Sequence, residues 1–198
     1  MPALVPDHAV TLTLAESPGE AAMHLRRVCF FALLALFNHA AMAGAMPGRG
    51  DVPPSYLGRD AQDHDVNVED MHGKVVVITF WASWCGYCLK ELPTLASIQK
   101  LAGADKLQVV AISYKEDYGN FVKIRHNLRK YNLVLTYDAN SAISAAYGVT
   151  GIPHMVMIGR DGHIAHVHVG YDESMLDTIA NELNELLAAP VTANTQAP

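Results

Sequence analysis

The sequence predicts an α/β sandwich, a central mixed β-sheet flanked by helices, and three observations predict it. Val75-Val76-Val77-Ile78-Thr79-Phe80 is almost entirely β-branched or aromatic. That composition suits a strand buried on both faces, and so an inner, parallel one. From there to Tyr147 strand-like runs alternate with helix-like ones, the rhythm of parallel strands joined by helical crossovers. Finally, Arg160-Asp161-Gly162 interrupts the apolar stretch from Met155 to Val169, a hairpin signal that adds antiparallel strands and makes the sheet mixed.

Each element follows from its own pattern. Residues 51 to 73 combine Pro53-Pro54, several aspartates, Gly73 and the short alternation Asp65-Val66-Asn67-Val68, which reads as a loop or hairpin leading into the core. After the strand at 75 to 80, Leu89, Leu92, Leu95, Ala96, Ile98 and Leu101 keep a mostly helical rhythm from Tyr87 to Leu101, with Pro93 inside it as a kink point. Leu107 to Ser113 is the next strand. Phe121, Ile124 and Leu128 mark a second helix, with Lys123, Arg125, Arg129 and Lys130 on its wet side. A short strand at Leu133 to Tyr137 and a short helix at Ser141 to Tyr147, stopped by Gly148, precede the hairpin strands Met155 to Ile158 and His163 to Val169. Met175, Leu176, Ile179, Leu183, Leu186 and Leu187 give a closing amphipathic helix from about Glu173 to Leu187.

The first 43 residues read differently. From Met23 the chain has His24-Leu25-Arg26-Arg27, an apolar stretch from Val28 to Phe37, then Ala41-Met42-Ala43 before Gly44. These are the charged, apolar and small-residue parts of a secretory signal peptide. The apolar core is short for a spanning helix, so cleavage is expected over an uncleaved membrane anchor. Residues 1 to 22 fit no part of such a leader, which makes Met23 the alternative start. The expected division is a leader over 1–43, one domain over 44–189 and a disordered tail over 190–198. The formal charge of −6 comes with no basic tract, which argues against a nucleic-acid partner. Of three cysteines, Cys29 lies in the leader. Export therefore leaves two, enough for one disulfide and too few for a structural framework.

Those two, Cys85 and Cys88, stand between the strand-like run and the first helix. A thiol at the first turn of a helix meets unpaired backbone N–H groups and the positive end of the helix dipole, which favour thiolate. Cys85 is therefore the candidate nucleophile, and Cys88, one turn along, can attack a mixed disulfide on Cys85 and release the substrate reduced. Half of a zinc site is the other reading of the spacing, with His166 and His168 as the ligands available to complete it, since period-two alternation puts both on one sheet face. A metal-binding chaperone for copper or zinc is the corresponding alternative function.

With these residues in place the chain resembles the thioredoxin fold, specifically the exported TlpA-like and ResA-like thiol-disulfide oxidoreductases, over roughly residues 51 to 188. Phe80-Trp81-Ala82-Ser83-Trp84-Cys85-Gly86-Tyr87-Cys88 resembles the active-site segment of that group, Pro93 its helix-kinking proline, and Gly151-Ile152-Pro153 the loop whose proline is cis. The extension at 51 to 73 and the long interval from Cys85 to Pro153, with room for an extra helix and strand, resemble the exported branch. The resemblance implies that Cys85 attacks, Cys88 resolves and Pro153 shapes a peptide groove in which Ile152 offers backbone hydrogen bonds. It also implies that Trp81 and Trp84 pack around the site, Trp84 and the Gly86-Tyr87 pair meeting the substrate. Glu116 matches a glutamate near the cysteines of some ResA-like proteins and is a candidate catalytic residue, taking the proton of Cys88. Thr79 occupies the position of the buried aspartate of ordinary thioredoxins, an acid absent at that position here.

The implied function is a periplasmic protein-disulfide reductase with no organic cofactor beyond its redox-active disulfide. Its partners would be cysteine-containing clients such as an apo-cytochrome or a copper-site protein, with a membrane electron donor to recharge it. No separate dimerisation domain is visible, which points to a monomer. Gly86-Tyr87 departs from the usual Gly-Pro or Glu-Pro of reducing relatives and also occurs between the cysteines of disulfide isomerases, so an oxidase or isomerase is the second version. Ile152 before the proline resembles reductases. His154, directly after Pro153, is a candidate for lowering the Cys85 pKa if its imidazole is protonated.

Overall fold

The computed structural model describes residues 46–191; the expected leader over 1–43, with Met23 and Cys29, and the expected tail from residue 192 onward lie outside the described residues. Seven strands and four helices occur in the order β1 (Tyr56–Arg59), β2 (Asp65–Asn67), β3 (Val75–Trp81), α1 (Gly86–Ala102), β4 (Leu107–Ser113), α2 (Tyr118–Leu128), β5 (Val134–Tyr137), α3 (Ala142–Ala146), β6 (His154–Ile158), β7 (Ile164–Val169) and α4 (Leu176–Ala188). The main sheet runs β5-β4-β3-β6-β7. Strand β3 pairs parallel with β4 and antiparallel with β6, and β4 pairs parallel with β5 while β6 and β7 form the antiparallel hairpin. This is the thioredoxin-like arrangement that the resemblance implies.

Every residue of β3 is buried, as its unbroken apolar run requires of a central strand. Alternation divides it between two layers. Val76, Ile78 and Phe80 join Leu57, Val110, Ile112, Tyr147 and Val156 on one face. On the other, Val75 and Val77 meet Leu95 of α1 and Ile179 and Leu183 of α4. Nearer the carboxyl end of the strand, Trp81 joins Cys85, Cys88, Leu92 and Phe121. Each large apolar side chain buried in these layers contributes about 1.5–3 kcal/mol, so the segment leading into the cysteines is anchored before it turns.

The extension forms a two-stranded antiparallel hairpin, β1 with β2, seated against β5. The Thr136 hydroxyl donates to the Leu57 carbonyl at 2.6 Å. Gly58, at φ +102°, would place a Cβ 2.9 Å from that of Thr136, so this approach requires glycine. Two boundaries differ from expectation. The closing helix starts at Leu176, because Asp172 caps a separate 3₁₀ turn at Glu173–Met175. Strand β7 carries a register shift, so Ile164 joins the layer of Ile158 while His166 and His168 stand opposite Met157 and Met155. Strict alternation would have kept all three on one face, and the extra residue of a bulge separates them.

Candidate active site

The buried β3 ends at Trp81, and the chain turns through Ala82–Trp84 into Cys85, the N-cap of α1 in extended conformation. The Cys85 N–H donates to the Ala82 carbonyl at 3.1 Å, and the Cys88 N–H donates to Cys85 Sγ at 3.1 Å. The two sulfurs form a disulfide with the Cα atoms 5.3 Å apart. Cys88 is wholly buried whereas Cys85 keeps 8% of its surface. Of this pair Cys85 is the one with surface open to a partner, and it stands where unpaired helical N–H groups and the helix dipole stabilise a thiolate.

Around this pair the expected residues divide. Trp81 is buried against Phe121, ring centroids 6.5 Å apart, while Trp84 and Tyr87 are 61% and 62% exposed. The latter two form an aromatic rim beside Cys85 instead of packing into the core, and the Lys90 ammonium lies 6.0 Å from the Tyr87 ring. Gly86 is exposed. The Ile152–Pro153 bond is cis, and Ile152 packs against the cluster that contains both cysteines. The Gly170 N–H donates to the Pro153 carbonyl at 2.8 Å, holding that loop to the end of β7.

Glu116 is buried in the loop after β4, but its carboxylate is occupied. It accepts from the Ser83 N–H at 2.5 Å and from the Asp117 N–H at 3.0 Å. A different acid is buried on the helix that carries the cysteines. Glu91, three residues after Cys88 on α1 and hence on the same face, is 2% exposed. It accepts a hydrogen bond from the Thr79 hydroxyl at 2.7 Å. Burial pushes its carboxyl up to about 7, with the Thr79 bond opposing in part. A buried acid thus stands on the helix and not at position 79, with Thr79 as its hydrogen-bond donor. Sequence reasoning missed Glu91. The signal was an acidic residue inside the buried stripe of Cys88, Leu92, Leu95 and Gln99, where helical spacing leaves no room for a solvated face.

The histidines take other roles. His154 is buried against Phe80, edge to face at 5.9 Å, on the sheet face opposite the one that carries Cys85 and Cys88. Neither ring nitrogen meets a partner among the described residues. Burial lowers its pKa and keeps it neutral, so an imidazolium charge acting on Cys85 has no support here. His166 and His168 do share a face. Their rings are stacked at an interplanar angle of 9°, and Glu182 of α4 takes His166 Nδ1 at 3.1 Å and His168 Nε2 at 2.6 Å. Among the described residues no group of three histidine, cysteine or acidic side chains is placed to hold a metal ion.

The family model described as Redoxin matches residues 50–183. Thioredoxin-like protein YneN of Bacillus subtilis (strain 168) is 30% identical over 122 residues, 61% of this chain and 71% of that one. The thiol-disulfide oxidoreductase ResA of the same organism is 26% identical over 135 residues, 67% of this chain and 74% of that one. A crystal structure from Chlorobium tepidum, assigned as a thiol:disulfide interchange protein DsbE, superposes with a TM-score of 0.67 at 27% identity, covering 72% of this chain and 99% of that one.

Proposed function

The chain belongs to the Redoxin family, and from that premise we propose that it is a thiol-disulfide oxidoreductase acting as a protein-disulfide reductase on the cysteines of exported clients. The observation that carries this reading is the unequal placement of Cys85 and Cys88, one open at a helix N-terminus and one buried three residues from a carboxyl poised near neutrality. In the reduced protein the Cys85 thiolate attacks a client disulfide, forming a Cys85–client disulfide and releasing one client thiolate. Cys88 then gives up its proton and attacks Cys85 Sγ. The second client thiolate leaves, and the protein ends with the Cys85–Cys88 disulfide. Two electrons pass to the client, and an external dithiol returns them. Glu91 is the group suited to take the Cys88 proton, because an acid near pH 7 is matched to the task at neutral pH. Trp84, Gly86, Tyr87, Ile152 and Pro153 supply the client-facing surface, with free backbone of the Ile152 loop available to an extended segment.

The leader sequence supports export to a periplasmic or extracytoplasmic space, where an apo-cytochrome or copper-site protein is a fitting client and a membrane donor the fitting source of electrons. Among the described residues no helix is long and apolar enough to cross a membrane. Cys88→Ser tests the reading: it should trap client proteins on Cys85 through disulfides that dithiothreitol releases, and a trap that captures none sinks it. One observation favours a second direction of electron flow. Gly86-Tyr87 leaves the site without the rigid proline of reducing relatives, and an oxidant would hold its thiolate more firmly. A potential near about −270 mV supports the reductase and one near about −120 mV the oxidase.

A further inference from the structure

The loop after β4 is joined to the segment ahead of Cys85 by two bonds and to the end of β5 by a third. The Tyr114 N–H donates to the Trp81 carbonyl at 2.7 Å, Ser83 N–H donates to Glu116 Oε2, and the Tyr137 hydroxyl donates to the Glu116 carbonyl at 3.0 Å. Lys115, just before Glu116, sits at φ +46°, a left-handed conformation that costs a non-glycine residue free energy and persists when its surroundings hold it. The Ser83 N–H and the Ala82 carbonyl belong to one rigid peptide plane. Glu116 binds the N–H end of that plane, and the carbonyl end accepts the Cys85 N–H at 3.1 Å. A carboxylate on the N–H also polarises the carbonyl opposite, strengthening the bond to Cys85.

We infer that Glu116 is a positioning residue for the nucleophile: through the Ala82–Ser83 peptide it sets the orientation of Cys85 at the mouth of α1, and it carries no proton for Cys88. The inference rests on the reading of Cys85 as nucleophile. Its consequence is specific in sign. Loss of the grip turns the Cys85 sulfur away from the helical N–H groups that stabilise its thiolate, so the thiol pKa rises. Loss of the negative charge alone would lower it, because a nearby anion opposes a thiolate.

Two variants separate grip from charge. Glu116→Asp keeps the charge and is one methylene too short to reach Ser83, whereas Glu116→Gln keeps the reach and an acceptor oxygen without the charge. The measurement is the rate of Cys85 alkylation by iodoacetamide against pH in the Cys88→Ser background, with a thermal melt of each variant to confirm folding. Expected is a rise in the alkylation midpoint for Glu116→Asp, slowing the reaction about fivefold at pH values well below the parent midpoint, the worth of one hydrogen bond. The midpoint of Glu116→Gln should not rise: the variant keeps the grip, and loss of the charge leaves its midpoint at or slightly below the parent's. An unmoved midpoint in Glu116→Asp, or a rise in Glu116→Gln as large as that in Glu116→Asp, overturns the inference. Because alkylation needs no client, this readout stands apart from the client trap: a trap that captures nothing refutes the reductase reading and leaves the positioning measurement readable.

Discussion

Two titratable side chains are buried on opposite faces of the same sheet, and the protein treats them differently. Three residues after Cys88 on α1, Glu91 has the Thr79 hydroxyl as a donor and sits near pH 7. Across the sheet, His154 has no partner among the described residues and is held neutral by burial alone. Desolvation is the leading cause in both, and it works in opposite directions, raising an acid and lowering a base. The acid is thereby brought to the pH at which it exchanges protons, and the base is removed from it. One of them stands on α1 three residues from Cys88, and the proposed proton transfer uses that placement.

The largest effect that would break this comparison is expected from Glu91→Gln. Removing the proton acceptor should slow resolution of the Cys85 mixed disulfide at neutral pH on the order of a hundredfold, read by acid-quenched trapping of the intermediate. The same variant should change stability. The folded carboxyl ionises near 7 against 4.5 for an ordinary glutamate, so between those values the folded chain keeps a proton that the unfolded chain has released. Stability therefore falls as pH rises through that window, and the loss is complete above pH 7. Urea unfolding of the oxidised protein should show the parent losing on the order of 3 kcal/mol there relative to Glu91→Gln. Equal slopes would mean that Glu91 is not a buried, neutral-leaning acid.

Thr79→Val sharpens the comparison by making the acid's surroundings more like those of His154. It removes the donor that stabilises the carboxylate, so Glu91 should be pushed further up. The pH dependence of mixed-disulfide resolution should move to higher pH by about one unit, with little change in rate at alkaline pH. A profile that does not move would show that the hydroxyl contributes nothing to the charge state of Glu91.

The smallest effect is expected from His154→Phe. Its folded pKa lies below the unfolded 6.5, so as pH falls through 6.5 the unfolded chain takes a proton that the folded chain refuses, and stability declines toward acid. The variant should remove that decline, whose sign is opposite to the slope that Glu91 imposes between pH 4.5 and 7. The alkylation profile of Cys85 should be unchanged, since the ring faces the other layer; a shifted profile would restore an electrostatic role to His154.

Much of this was legible in residue patterns. The buried β3 announces itself in six consecutive β-branched or aromatic residues, and the Cys85–Cys88 pair stands at the strand-to-helix junction where its chemistry requires it. The shared face of His166 and His168 followed from alternation, but Ile164 did not keep to it, because nothing local marks the bulge. Glu116 was found as a residue, and its occupation by two backbone N–H groups was not readable, since the Ser83 N–H that it binds lies 33 positions away in the chain.

The sequence by itself determined the alternation of elements, the central strand, the helix that begins at the cysteines and the identity of the two sulfurs, because propensity, periodicity and capping act within a few residues of one another. Only the tertiary structure decided which acid is buried with a raised pKa on the helix of the cysteines and which binds the turn ahead of them. Glu91 and Glu116 have the same side chain. Their difference comes from the donors that the packed sheet brings to each, one hydroxyl from β3 in a dry interior and two backbone N–H groups at a loop. Desolvation and hydrogen bonding to the charged form are properties of assembled surroundings, and no stretch of sequence contains them until the strands are side by side.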